Sequence, residues 1–245
     1  MARVLLVHGA FGSAACWDLV APRLREAGHD VEAFDLPGSG EDPTPVEDVT
    51  LDAYADRVCD RLAAGPPAVL VGHSMGGVVI TQSAARCPDR IAALVYVAAF
   101  LPAQGQSLLD LTQLPEGAGD QVQANLVVEG DPPVAQLPAQ ACREALFGSC
   151  DEQQLAWGLA RRGPQAVAPF TQPVELGGPA NEAFAALPRA YVTCARDRAI
   201  PPPLQRRMLT EARCDPVIEL DTDHSPWVSA PDRLVSVLDG LAAGY

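Results

Sequence analysis

A serine flanked by glycines carries the first chemical signal in this chain. Gly72-His73-Ser74-Met75-Gly76 follows the apolar run Val69-Leu70-Val71 and precedes Val78-Val79-Ile80. A Gly-x-Ser-x-Gly between a strand and a segment of helical length predicts a nucleophile elbow. Such a turn forces the serine into a strained backbone conformation. Only neighbours without side chains, at minus two and plus two, let strand and helix pack that closely. The hydroxyl then stands clear of the backbone, and the Met75 amide points the same way.

A serine hydroxyl is a poor nucleophile at neutral pH and needs a base within hydrogen-bond reach. His73 lies inside the elbow and is expected to pack under the turn. His8 ends the first strand and is expected to brace the loop after it, while His29 precedes a strand on the surface. His224, in the polar loop Thr222-Asp223-His224-Ser225-Pro226, is therefore the expected base. A buried carboxylate must hold its tautomer and stabilise the imidazolium. Asp197, directly after a strand, is the candidate, with pairing to Arg196 or Arg198 as its alternative. Asp221 and Asp223 are weaker candidates, too near His224 in sequence to reach round its ring easily. Two donors must also face the developing oxyanion. Met75 supplies one amide, and the loop His8-Gly9-Ala10-Phe11 the other, from Ala10 or, failing that, Phe11.

These groups need a scaffold that brings distant strand ends together. Strands are expected at 3–7, 30–35, the elbow, 91–98, 190–195 and 216–220, with helices between them. Gly28 stops the first helix, and Leu51, Tyr54, Val58 and Leu62 share one face of the next. Alternating strands and helices imply an α/β fold, a six-stranded, mostly parallel sheet covered on both faces. Ser74 is expected at its carboxyl edge, next to the point where winding reverses. Residues 102–187 break the rhythm, with no convincing buried strand and a helix over 151–161 capped by Asp151. They are expected to form a mostly helical cap over Ser74, on a core of 1–101 and 188–245. Phe147, Trp157 and Phe170 of the cap, with Phe11 and Trp227, are expected walls of an apolar pocket, or else cap core.

The chain has 245 residues, 48% apolar and 20% charged, and a formal net charge of −14. Such a surface repels phosphates and anionic lipid, so neither nucleic acid nor membrane is expected as a partner. Seven cysteines form no C-x-x-C pair and leave an odd number, read as thiols in a reducing, cytoplasmic compartment. The four histidines lack metal-ligand spacing, so no metal is expected, and chemistry through a serine acyl-enzyme calls for no cofactor.

Several motifs occur in one order: Val7-His8-Gly9-Ala10, Asp35-Leu36-Pro37-Gly38-x-Gly40, the elbow with Gly77, Cys194-x-x-Asp197-x-x-Ile200-Pro201, and Asp223-His224. Ala99-Phe100-Leu101-Pro102 and Phe147-x-x-Cys150 fall in place as well. Across essentially its whole length the chain resembles the α/β-hydrolase superfamily, in the branch of small plant methyl esterases and hydroxynitrile lyases with their bacterial relatives. That resemblance implies the α/β-hydrolase fold, without the leading strand pair of larger hydrolases. It also implies the roles given above to Ser74, Asp197, His224, Ala10 and Met75. The lyases of the branch carry Thr after the first-loop His and Lys after the base His. This chain has Gly9 and Ser225 there, which favours hydrolysis of a small carboxylic ester. Lactone or C–C bond chemistry, and ligand binding with negligible turnover, are the alternatives.

Overall fold

The computed structural model of the protein describes residues 1–177 and 181–245. Strands β1 (Arg3–Val7), β2 (Asp30–Ala33), β3 (Ala68–His73) and β4 (Ile91–Val97) are followed by three short ones, β5 (Val127–Glu129), β6 (Val134–Gln136) and β7 (Gln165–Ala166). Strands β8 (Arg189–Cys194) and β9 (Val217–Leu220) complete the set. The main sheet runs β2-β1-β3-β4-β8-β9, and every pairing in it is parallel. The chain reverses its winding between β1 and β3, the place where open parallel sheets bind ligands.

Helices α1 (Ala21–Glu26), α2 (Leu51–Ala63) and α3 (Gly76–Arg86) follow the first three strands. Residues 102–187 hold α4 (Leu108–Thr112), α5 (Ala139–Leu146), α6 (Glu152–Leu159), α7 (Ala168–Thr171) and α8 (Glu182–Ala186). Then come α9 (Pro202–Glu211), α10 (Pro226–Ser229) and α11 (Pro231–Ala243). Strand side chains split by alternation, because successive residues point to opposite faces. Leu5, Leu70 and Leu94 pack with Tyr54, Val58, Ile80, Leu204 and Met208 under α2, α3 and α9. Val4, Leu6, Val71 and Val95 pack with Trp17, Leu24, Leu234 and Leu238 under α1 and α11. Each fully buried leucine contributes roughly 2 kcal/mol of apolar transfer free energy. The burial of both faces explains why the strands read as continuous apolar runs.

Local signals account for the helix ends. Thr50 accepts from the Ala53 amide to cap α2, and Asp151 forms a reciprocal capping box with Gln154 at the start of α6. Gly28 ends the α1 turn at φ 97°.

Three readings of the sequence are corrected. The 102–187 segment carries, besides its helices, the antiparallel sheet β5-β6-β7. Those strands have two or three residues each and β5 is exposed, too short and too open to leave an alternating pattern. Cys59 and Cys87 form a disulfide, so five of the seven cysteines are free, and cysteine usage no longer argues for a reducing compartment. The pair is 28 residues apart and meets only because α2 packs against α3. His29 is buried, accepting from the Ala2 amide at 3.2 Å and bonded to Asp239 of α11 at 2.8 Å. Among the described residues no helix is long and apolar enough to cross a membrane.

Candidate active site

Strand β3 ends in the elbow, where Ser74 has φ 55°. That conformation is costly for any side-chain-bearing residue and persists only where the surroundings over-determine it. Here they do. Ser74 N–H donates to the Val97 carbonyl at 3.3 Å, and its own carbonyl accepts from Gly77 at 3.0 Å and Phe100 at 3.1 Å. A Cβ on Gly72 would lie 2.5 Å from the Gly76 carbonyl oxygen, and one on Gly76 would lie 2.8 Å from the carbonyls of Val7 and His8. The two glycines thus let strand, helix and the first loop meet without side chains between them.

Asp197 leaves β8 and His224 leaves β9, and both are buried, 3% and 2% exposed. His224 Nδ1 lies 2.8 Å from Asp197 Oδ2. The other carboxylate oxygen accepts from the amides of Ala199 and Ile200, each at 2.8 Å, and Gln205 Nε2 reaches Oδ2 at 3.3 Å. Such a bond leaves Nε2 as the imidazole atom free to take a proton. The competing pairings do not form. Arg196 binds Asp221 at 2.9 Å. Asp223 accepts from Ser225 N–H, Ser229 Oγ and Ser149 N–H. It therefore fixes the start of α10 and the turn before α6, not the His224 ring.

His73 sits under the elbow as expected, but it also reaches the loop that carries His224. Its Nε2–H donates to the His224 carbonyl at 2.8 Å, and its ring lies 4.8 Å from that of His224. Burial first, then the neighbouring His224, holds its pKa well below the usual histidine range, so it stays a neutral donor. His8 Nε2 accepts from the Leu36 amide at 3.1 Å, which leaves Nδ1–H to donate to the Gly9 carbonyl at 2.9 Å. Burial lowers its pKa also.

Gly9 lies against the elbow, and a Cβ there would come within 2.7 Å of Ser74 Cβ. The adjoining Phe11 has φ 61° and is held from the 102–187 segment. Its amide donates to Gln165 Oε1 at 3.4 Å, its carbonyl accepts from Gly163 at 2.9 Å, and the Arg162 guanidinium lies 4.9 Å from its ring centroid. Among the described residues, the Ala10 and Met75 amides donate to no group of the chain. Of the two amides considered for the first loop, Ala10 is free and Phe11 is engaged. Gln165 was not singled out in the sequence, where it is one glutamine in a glutamine-rich stretch.

One cavity joins these parts, lined by Ala10, Ser74, Met75 and His224 together with Phe11, Phe170 and Trp227 of the expected pocket. Ser74 and His224 share its wall, and no hydrogen bond joins their side chains. Phe147 and Trp157 are not in that wall. They stand behind Trp227, at ring-centroid distances of 5.9 and 6.0 Å. Phe147 fills a slot that exists because residue 158 is glycine, and Trp157 carries the Arg161 guanidinium 3.6 Å from its ring centroid. Aromatic composition could not tell the layer facing the cavity from the layer supporting it. The wall also includes Leu108, Asp120, Gln123, Leu126, Leu146 and Arg162, none of them anticipated. Arg162 Nη2 is sealed from solvent with no acceptor among the described residues.

Residues 4–237 match the Alpha/beta hydrolase family. The chain belongs to that family. This alpha/beta hydrolase is 30% identical to the alpha-hydroxynitrile lyase of Arabidopsis thaliana, over 98% of its own length and 97% of the relative's. It is 29% identical to methylesterase 7 of the same plant, over 99% and 97%. Among solved structures, the pyrethroid hydrolase of Sphingobium faniae JZ-2 superposes with a TM-score of 0.85 at 27% identity, over 100% of this hydrolase and 99% of that chain.

Proposed function

We propose that this protein is a serine hydrolase of small carboxylic esters, with Ser74 as nucleophile, His224 as general base and acid, and Asp197 as the group that orients His224. The observation that carries this reading is the buried Asp197–His224 bond, with His224 lining the same cavity as an elbow serine of φ 55°. Ser74 Oγ attacks the ester carbonyl carbon while His224 Nε2 takes its proton. The carbonyl oxygen becomes an oxyanion, stabilised by the Ala10 and Met75 amides. The intermediate collapses as the alcohol leaves with the proton from His224, and an acyl-Ser74 ester remains. Water, deprotonated by His224, attacks that ester, and the acid leaves as Ser74 regains its proton. The cap over the cavity is assigned to 102–187, with the sheet residues 1–101 and 188–245 as the core.

The relatives named above include a methylesterase, a pyrethroid hydrolase and a hydroxynitrile lyase, so cleavage of a C–C bond is the second reading. Hydrolysis is favoured on two residues. A side chain at position 9 would press on Ser74, and Ser225, not a lysine, follows the base. With no lysine in the chain, no lysine ammonium stands beside the base to hold a departing cyanide. Ser74→Ala is expected to abolish turnover of p-nitrophenyl acetate in a steady-state assay. Undiminished turnover would exclude the mechanism, and faster release of cyanide from mandelonitrile than of acid from any ester would favour the lyase reading.

A further inference from the structure

One corner of the cavity is polar, and the mechanism makes no use of it. Asp120 lines the cavity with Ser74 and His224, and the residue is only 7% exposed. Its Oδ1 accepts from the amides of Val122 at 2.7 Å and Gln123 at 3.0 Å, which closes the short turn that follows. Among the described residues, Oδ2 accepts nothing. The Gln123 side chain lines the same cavity, and its amide likewise has no partner among the described residues. Oδ2 is not sealed in the protein, so it is an acceptor that a group in the cavity can reach. The corner is also anchored to the reaction centre. The Gln121 amide donates to the Arg198 carbonyl at 2.8 Å, next to Asp197 in the chain. Burial pushes the Asp120 carboxyl up to about 6, and the charges of His224 and Asp197 act on it.

We propose that Asp120 and Gln123 form a subsite for a hydroxyl group on the substrate, which donates to Asp120 Oδ2 and accepts from the Gln123 amide. The substrate class is then a small hydroxylated ester. This rests on the ester-hydrolase reading, with Asp120 and Gln123 as specificity-determining residues that take no part in bond making. A hydroxyl is the group that fits. It pairs one acceptor with one donor, whereas a plain alkyl group would leave both groups of the corner desolvated and unpaired.

The test uses two matched ester pairs. Methyl 3-hydroxybutyrate against methyl 3-methylbutyrate places the hydroxyl on the acid side. 2-Hydroxyethyl butyrate against propyl butyrate places it on the alcohol side. In one pair kcat/KM is expected to favour the hydroxylated ester roughly ten- to hundredfold, the range for a hydrogen bond to a charged group. Asp120→Asn keeps an oxygen for the turn amides but replaces the free acceptor by a donor, and Gln123→Met removes the amide at similar length. Each is expected to bring the ratio most of the way to one. Calorimetric binding of the matching amides, N-methyl for the acid-side pair and N-(2-hydroxyethyl) against N-propyl for the alcohol-side pair, reports on the corner independently of turnover. A loss of ester hydrolysis as such would therefore be told apart from a failure of the subsite. A ratio near one for the wild type in both assays, or a preference that both variants retain, would overturn the proposal.

Discussion

Across the cavity, the sheet edge and the 102–187 segment hold their side chains in different ways. At the edge, Ser74, Asp197 and His224 are fixed by directed hydrogen bonds. Ser74 is tied to Val97, Gly77 and Phe100, Asp197 to two amides and Gln205, and His224 through its carbonyl to His73. Opposite them, Phe170, Leu108 and Leu126 line the wall without a polar contact of their side chains, and Phe170 meets Phe11 edge-on at 6.3 Å. A reaction that must place a proton within a few tenths of an ångström needs the first kind of support. Selecting among acyl and alcohol groups needs only the second, because an apolar wall can change shape by one side chain at a time.

The sharpest break of this contrast is at Asp197. Asp197→Asn keeps the volume but offers Nδ2–H where His224 Nδ1–H now finds an acceptor, and the imidazole is driven to the wrong tautomer. A fall in kcat of about 10⁴-fold is expected, the size seen when a triad carboxylate is amidated. The folded state is expected to survive, as judged by circular dichroism. A fall of less than tenfold would mean that His224 is oriented by something other than its carboxylate.

Two phenylalanines then separate the wall from its support. Phe147→Ala empties a fully buried slot against Trp227 and Gly158, and should cost about 3–5 kcal/mol of stability. Its kinetic effect is expected to be small at temperatures where the protein is folded. Phe170→Ala opens the cavity itself, and the expected change is in relative kcat/KM between short and long acyl chains, roughly 10–200-fold per pocket step of one to three kcal/mol. Denaturant melts and a chain-length series on both variants read the two effects. If Phe147→Ala shifted selectivity as much as Phe170→Ala, the layered description of the aromatic cluster would be wrong.

The same contrast explains what the sequence made legible. The elbow, the strand ends and the order Ser74, Asp197, His224 were readable because they depend on backbone geometry, which constrains residue type tightly. Gly72 and Gly76 are glycine for want of space, and the apolar strand runs reflect burial on both faces. The 102–187 segment resisted reading because its contacts join side chains to backbone groups far away in sequence. Gln165 reaches Phe11 across 154 positions and Asp223 reaches Ser149 across 74. Strands of two or three residues have no period to detect. The Cys59–Cys87 pair escaped for the same reason, since helix packing and not spacing brings it together.

Asp120 stands at the border of the two regions, and its titration measures how far the polar edge extends into the 102–187 segment. Its carboxyl is pushed up to about 6 from an unperturbed 3.8, chiefly by burial. The folded protein therefore holds this proton more tightly than the unfolded chain does. Its stabilising contribution is complete below about pH 4 and is lost as pH rises through 6, because unfolding then relieves a buried carboxylate. Asp120→Asn carries no such charge and still offers an oxygen to the Val122 and Gln123 amides. The variant is expected to match the wild type near pH 4 and to exceed it above pH 7 by an amount on the order of 2–3 kcal/mol, at about 1.4 kcal/mol per pKa unit. Urea melts of both proteins between pH 4 and 8 give the difference directly. A gap that did not widen between pH 4 and 7 would mean that Asp120 is solvated from the cavity side, and that the corner belongs to solvent and not to the edge.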